Sequence, residues 1–242
     1  MKQHYLGVLL LVFFAPAICL SQKYLKEFSG INESVTLDGV TYFIGEDQIH
    51  GKELWKTDGT RKGTVLVKDI FPGIRGSEPQ DLFVFDGALY FSANDGILGQ
   101  ELYKSNGTAE STILLKDLHP AHRTGSSPSK FTIYNNELYF VAAPQYSNTT
   151  SLYKTDGTAA GTVLVYSREE GYSGRFENLT VANNKLYFTN RYSSILYEFS
   201  SITNQVVSQE VDEFSTVSSL NSFNDELYFI THKNNKSQIK LY

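Results

Sequence analysis

The dipeptide Tyr-Phe returns five times, at Tyr42, Tyr90, Tyr139, Tyr187 and Tyr228, preceded by leucine in every case but Thr41. The successive spacings are 48, 49, 48 and 41 residues. Each copy follows a two-residue turn: Asp38-Gly39, Asp86-Gly87, Asn135-Asn136, Asn183-Asn184 and Asn224-Asp225. Gly, Asn and Asp tolerate the positive φ of a tight hairpin, so the pattern reads as strand, turn, strand. A second aromatic pair follows at Leu54-Trp55, Leu102-Tyr103, Leu152-Tyr153, Leu196-Tyr197 and Leu241-Tyr242. Each unit therefore reads as four short strands, here a to d, such as 81–85, 89–93, 100–105 and 112–117. A four-stranded repeat of about 40 to 50 residues is the pattern of a β-propeller blade. The β-branched and aromatic runs and the constant turns exclude a helical solenoid of similar period.

The expected fold is all-β: a five-bladed propeller in one domain, 22–242, with blades over about 33–70, 80–118, 129–167, 177–211 and 215–242. The last unit ends at strand c. Residues 23–28 look like an orphan strand d. Pairing Tyr24–Phe28 with Gln238–Tyr242 would complete the fifth blade and remove two exposed sheet edges.

The stretch Glu53–Ile70, ELWKTDGTRKGTVLVKDI, then becomes a c–d hairpin. Centred on Asp58–Gly63, it faces Thr57 to Thr64, Trp55 to Leu66 and Glu53 to Lys68. The second unit repeats this as Ser105–Thr112, Tyr103–Leu114 and Glu101–Lys116. The third has Thr155–Thr162, Tyr153–Leu164 and Ser151–Tyr166. Glu and Lys are present together twice and absent together once, which predicts a cross-strand ion pair. A motif that repeats in this way is expected to bury blade faces rather than form a site.

These residues resemble the ELWxxDGT-repeat family, mostly secreted or surface proteins of bacteria. Glu53–Thr60 followed by Gly63–Ile70 fits its pattern closely. Unit two departs at Tyr103, Asn106 and Ser111, unit three at Ser151, Tyr153 and Tyr166, and unit four keeps little beyond Leu196-Tyr197. The resemblance implies a propeller-like fold and export, and no activity or site residues. Longer members often carry a C-terminal sorting domain, which nothing here resembles.

Export also follows from the leader. Lys2, the apolar run Leu6–Phe14 and the small residues after it form a secretory signal, 1–21. The apolar run is too short to span a membrane comfortably, and no later stretch is long enough. Cys19 is the single cysteine, and the bulky Ile18 before it argues against a lipid anchor. The mature chain thus has no disulfide framework, and its core alone carries stability. The leader holds one basic residue and no acid, which takes the formal charge of −5 to −6. That balance argues against nucleic acid or an anionic membrane as partner.

No nucleophile elbow, zinc-protease helix or phosphate loop is present. His119-Pro-Ala-His122 lacks a third ligand, so neither a metal nor a cofactor is expected. Strand a should line the central channel, where Glu33, Asp81 and Glu177 stand at strand starts, with Ser129 and Val217 at the matching places. Converging carboxylates of this kind would suit a glycoside hydrolase. The a–b and c–d turns share one rim. The b–c and d–a loops share the other, and they vary. Variable loops on a rigid ring are where binding is expected, with Asp47, His50, Arg75, Asp95, Arg123, Arg191 and Tyr192 as candidate ligand residues. The expected role is a non-catalytic module at the cell exterior, binding a glycan or a surface protein. The alternatives are the hydrolase and a structural part of a larger surface assembly.

Overall fold

The computed structural model describes residues 25–118, 125–143, 149–168, 174–191, 193–211 and 215–242. They build five antiparallel sheets in chain order. Sheet one holds β1 (Gly30–Leu37), β2 (Val40–Asp47), β3 (Gly51–Thr57) and β4 (Val65–Lys68). Sheet two holds β5 (Gln80–Phe85), β6 (Ala88–Asn94), β7 (Gln100–Ser105) and β8 (Ile113–Lys116). Sheet three holds β9 (Ser129–Tyr134), β10 (Glu137–Ala142), β11 (Ser151–Thr155) and β12 (Val163–Tyr166). Sheet four holds β13 (Phe176–Ala182), β14 (Lys185–Asn190), β15 (Ile195–Ser200) and β16 (Gln205–Glu210). Sheet five holds β17 (Thr216–Phe223), β18 (Glu226–Lys233) and β19 (Lys236–Leu241). Each sheet is a meander, and none closes on itself.

The first strands touch in sequence, β1 to β5, β5 to β9, β9 to β13 and β13 to β17, so they line the axis. Contact of that extent does not join β17 to β1. The array is propeller-like, with its first and fifth sheets as ends.

Period-2 alternation gives the inner sheets two buried faces. The forward face of sheet one carries Leu37, Tyr42, Leu54 and Val67. It packs on the rear face of sheet two, which carries Leu82, Leu89, Phe91 and Tyr103. The same layering repeats at the next three seams. Strands buried on both faces become near-continuous apolar runs, which is why Leu-Tyr-Phe recurs. Leu54, Leu89, Leu138, Leu152, Leu186 and Leu227 are all fully buried.

The hairpin register of the repeat matches the sequence reading. Trp55 faces Leu66, Tyr103 faces Leu114 and Tyr153 faces Leu164. The hydroxyls of Thr57 and Thr64 meet at 2.8 Å, those of Ser105 and Thr112 at 2.7 Å, and those of Thr155 and Thr162 at 2.8 Å.

Three expectations are corrected. First, Glu53 does not pair with Lys68. A bulge between Leu54 and Trp55 slides the register, so Lys68 faces Leu54. The Glu53 carboxylate turns inward and accepts from the N–H groups of Phe71 and Ser77 at 3.0 and 2.9 Å, and from the Ser77 hydroxyl. Lys68 crosses to the Thr112 carbonyl of sheet two at 2.7 Å. Glu101 and Lys116 do the same one unit later.

Second, the N-terminal arm does not complete sheet five, which has three strands among the described residues. Residues 25–28 form no strand. Phe28 packs edge-on against Phe43 and Trp55 on the rear face of sheet one, at 5.2 and 5.0 Å between centroids. Lys26 sits 3.5 Å over the Trp55 ring. Gly45 makes this seat possible, since a Cβ there would lie 2.9 Å from the Phe28 ring. The apolar rear face of sheet one attracts the arm more strongly than a strand edge does.

Third, the aromatic pair shifts in the last unit. Ile239 and Lys240 face Ile230 and Phe229, as Leu54 and Trp55 face Ile44 and Phe43. Leu241-Tyr242 is therefore not the counterpart of Leu54-Trp55.

Candidate functional site

The inner strands carry a bulge at a fixed place, five residues before the a–b turn. The residues there are Glu33, Asp81, Lys130, Asn178 and Ser219. Four of them adopt positive φ, from 52° at Ser219 to 60° at Lys130. A bulge re-aims its side chain out of the pleat, here at the axis. This corrects the expected ring position: Lys130 stands where Ser129 was read, and Asn178 stands where the third acid was read, Glu177 being one residue before the bulge. Counting back five residues from each turn, rather than forward from each strand start, finds Lys130 in the sequence.

Between sheets two, three and four the bulges open a cleft of about 410 Å³. Asp81, Lys130, Arg175 and Glu177 supply charges of both signs, Ser92, Ser127, Ser129 and Thr150 supply hydroxyls, and Phe176 and Val141 form part of the wall. Two carboxylates also fix the ring. Glu33 accepts the Leu82 N–H at 2.7 Å, and Asp81 accepts the Lys130 N–H at 3.3 Å. Burial pushes the Asp81 carboxyl up, helped by the Glu33 charge and opposed by the Lys130 N–H. Arg191 approaches Glu177 at 3.5 Å.

The remaining candidates lie elsewhere. Asp47 and His50 share the β2–β3 loop of sheet one. The Asp47 carboxylate accepts the N–H groups of Ile49 and His50 at 3.0 and 2.7 Å, meets His50 Nδ1 at 3.1 Å and pairs with Lys26 at 3.4 Å. Burial alone would raise its pKa, but these hydrogen bonds, with the His50 charge beside them, bring it down to about 2. Asp95 caps the matching loop of sheet two through Ile97 and Leu98, both at 2.8 Å. Both aspartates therefore hold loops. Arg75 lies 6.0 Å from the Phe71 ring on the first loop between sheets. Arg123 and Tyr192, like His119 and His122, fall outside the described residues. The structure thus brings Glu33, Asp81, Glu177 and Arg191 to the axis and leaves Asp47, His50, Arg75 and Asp95 apart from it. Among the described residues no group of three or more His, Cys, Asp or Glu is placed to hold a metal ion.

Two buried carboxyls serve the scaffold. Burial lifts Glu53 to about 7, against hydrogen bonds from Ser77 and Phe71 that lower it. Glu101 is lifted to about 7 in the same way, against bonds from Ser126 and Leu118. Each ties down the loop that leads to the next sheet.

No protein-family model and no curated protein matches the sequence. Solved structures do match. One is a puromycin hydrolase complexed with PGG, with a TM-score of 0.55 and 13% identity over 86% of this chain and 35% of that one. A catalytically inactive virginiamycin B lyase from Staphylococcus aureus, with quinupristin, gives 0.53 and 14% over 92% and 71%. The extracellular domain of a one component system from B. thetaiotaomicron gives 0.54 and 11% over 90% and 29%. The chain spans about a third of the hydrolase and less of the extracellular domain. At such identities the likeness is one of fold, and it agrees with a propeller-like array of antiparallel sheets. Among the described residues no helix is long and apolar enough to cross a membrane.

Proposed function

We propose that this chain is an exported, non-catalytic binding module of the ELWxxDGT-repeat type, with its five sheets as the blades of a propeller scaffold. Its ligand sits at the axis. The axial cleft carries this reading: three sheets converge on one space with two cations, two carboxylates and four hydroxyls around an apolar wall. Such a lining suits a hydroxyl-rich ligand, and a glycan is the ligand class proposed. The leader and the repeat's resemblance support a place at the cell exterior.

The test is a glycan array followed by calorimetry on the best binder. Binding lost in Lys130→Met at unchanged melting temperature is the expected result, and an array without binders argues against a glycan ligand. One observation favours a second reading. Asp81, held protonated to higher pH than an ordinary aspartate, shares the cleft with Glu177, an arrangement that a glycoside hydrolase would use. Turnover of the bound glycan that disappears in Asp81→Asn would establish the enzyme and exclude the non-catalytic module.

A further inference from the structure

The first two seams between sheets share a latch that the ends of the array lack. At the first seam the Tyr42 hydroxyl lies over Gly107 of the next c–d turn, where a Cβ would stand 1.9 Å from it. The ammonium of Lys56 donates to the Gly107 carbonyl at 2.7 Å. At the second seam Tyr90 covers Gly157, with a Cβ 2.5 Å from the hydroxyl, and Lys104 donates to the Gly157 carbonyl at 2.9 Å. The Asp/Asn-Gly-Thr turn is thus the acceptor for the sheet before it. The first such turn, Asp58-Gly59-Thr60, has no such partner among the described residues. An added Cβ at Gly59 meets nothing within 4 Å.

The opposite end holds the complementary face. On the forward face of sheet five, Phe223, Ile239 and Leu241 are 66%, 76% and 59% exposed. Tyr228 and Ile230 lie between them in register, and the rings of Phe223 and Tyr228 are 6.5 Å apart. The residues matching Phe223 in the other sheets, Leu37, Phe85, Tyr134 and Ala182, are at most 8% exposed, because the next sheet covers them. An apolar stripe of this kind on a soluble scaffold marks an interaction surface. The charges agree as well. Glu226 stands beside the Tyr228 hydroxyl at 2.9 Å. The open first turn carries Arg61 and Lys62, both exposed, where the occupied turns carry Ala109-Glu110 and Ala159-Ala160.

We infer that sheet five of one copy docks on the first turn of a second copy, Tyr228 over Gly59, and so continues the sheet-on-sheet stacking between chains. The contact is heterologous, so each copy offers one donor face and one acceptor face. Phe28 and Lys26 occupy the apolar centre of the acceptor's rear face and become part of the seam.

Sedimentation of the full chain over a hundredfold concentration range tests this. Mass that rises with concentration is expected. Phe223→Asp removes the donor and Gly59→Asn the acceptor; asparagine tolerates the positive φ of that turn, and its side chain enters open space. Each variant alone should remain a monomer with the parent's circular dichroism. Mixed one to one, they should form a dimer and nothing larger, because one sound donor meets one sound acceptor. A wild-type chain that stays monomeric at every concentration overturns the proposal, whether sheet five closes on its own first sheet or is covered by residues 1–24. A mixture that does not dimerise overturns the head-to-tail geometry.

Discussion

Asp58-Gly59-Thr60 and Asp156-Gly157-Thr158 are the same three residues in the same hairpin. In both, the aspartate accepts the threonine N–H at 2.8 Å and its hydroxyl at 2.7 Å. One turn is bare, while the other lies under Tyr90 and Lys104. The hairpin therefore forms from local chemistry alone, and the repeat sequence holds a second, separate function that needs a neighbour. The seams past sheet three make the point from the other side. Sheet four has Ser-Ile-Thr-Asn in place of the turn motif, and among the described residues no lysine latch reaches it. Tyr134 instead donates to the Asn184 carbonyl at 2.9 Å, and its hydroxyl accepts the Ser201 N–H at 3.3 Å. At the last seam the Asn183 N–H reaches the carbonyl and carboxylate of Asp225, both at 2.8 Å. The glutamate anchor follows the same division: it is present in sheets one and two and replaced by Ser151 in sheet three.

The largest effect is expected at the anchor. Glu101→Ala leaves the Leu118 N–H and the Ser126 hydroxyl buried without their acceptor, at about 1–3 kcal/mol for each group. Ser151→Ala removes one hydroxyl bond to Ser167 at 3.0 Å, and its expected cost is about 1 kcal/mol. Chemical denaturation of both variants checks the ratio. Equal losses would mean that the anchor contributes nothing beyond ordinary burial.

The turn glycines come next. Gly107→Ala places a methyl against the packed Tyr42 ring at a φ of +90°, while Gly59→Ala meets only the backbone penalty at +84°. That penalty is about 1–2 kcal/mol, and overpacking adds about 1–3 kcal/mol. The expected order is Gly107→Ala well below Gly59→Ala in melting temperature, measured on dilute protein. Matching values would show that Tyr42 yields without cost and that the latch is loose.

These expectations mark what the sequence reveals and what it hides. The five units, the two-residue turns and the facing of Trp55 to Leu66 are legible because period 2 and turn chemistry are local. The bulges are not, since an extra residue leaves no compositional trace. They moved Lys68 away from Glu53 and put Lys130, not Ser129, at the axis. The joint presence of Glu and Lys in units one and two was real, but its cause is different: each binds the next structural unit, and unit three lacks both needs. Phe28 looked like a strand residue because a strand edge and an apolar face attract the same side chain.

The pH profile separates the anchored sheets from the rest. Glu53 and Glu101 hold their protons to about 7 in the folded chain, against about 4.3 when unfolded. Between those values the folded state binds more protons, so stability falls as pH rises through the window. Asp47 acts in the opposite sense: its folded value of about 2 gives stability above the unfolded range that is lost on acidification. The melting temperature should peak between about pH 4 and 5 and decline toward neutrality. Glu53→Gln keeps the acceptor oxygen and removes the ionisation, so its decline should be shallower than the parent's. An unchanged slope would mean that Glu53 is ionised in its buried site without penalty.

The smallest effect is also the sharpest test of the comparison. Lys104 and Lys154 occupy the same place in consecutive units. Lys104 reaches across the seam to Gly157. Lys154, facing a sheet with no such turn, folds back to Glu137 of its own sheet at 2.9 Å. A partly exposed pair within one sheet contributes little after screening, on the order of 0–1 kcal/mol. A charge-assisted bond to a carbonyl that has no other partner in the seam is expected to give about 1.5 kcal/mol. Lys104→Met, which keeps the apolar stem, should therefore lower stability by about 1 kcal/mol more than Lys154→Met, and the difference should persist in high salt. If salt erases it, Lys104 acts only as a surface charge, and the turn motif is recognised by Tyr90 alone.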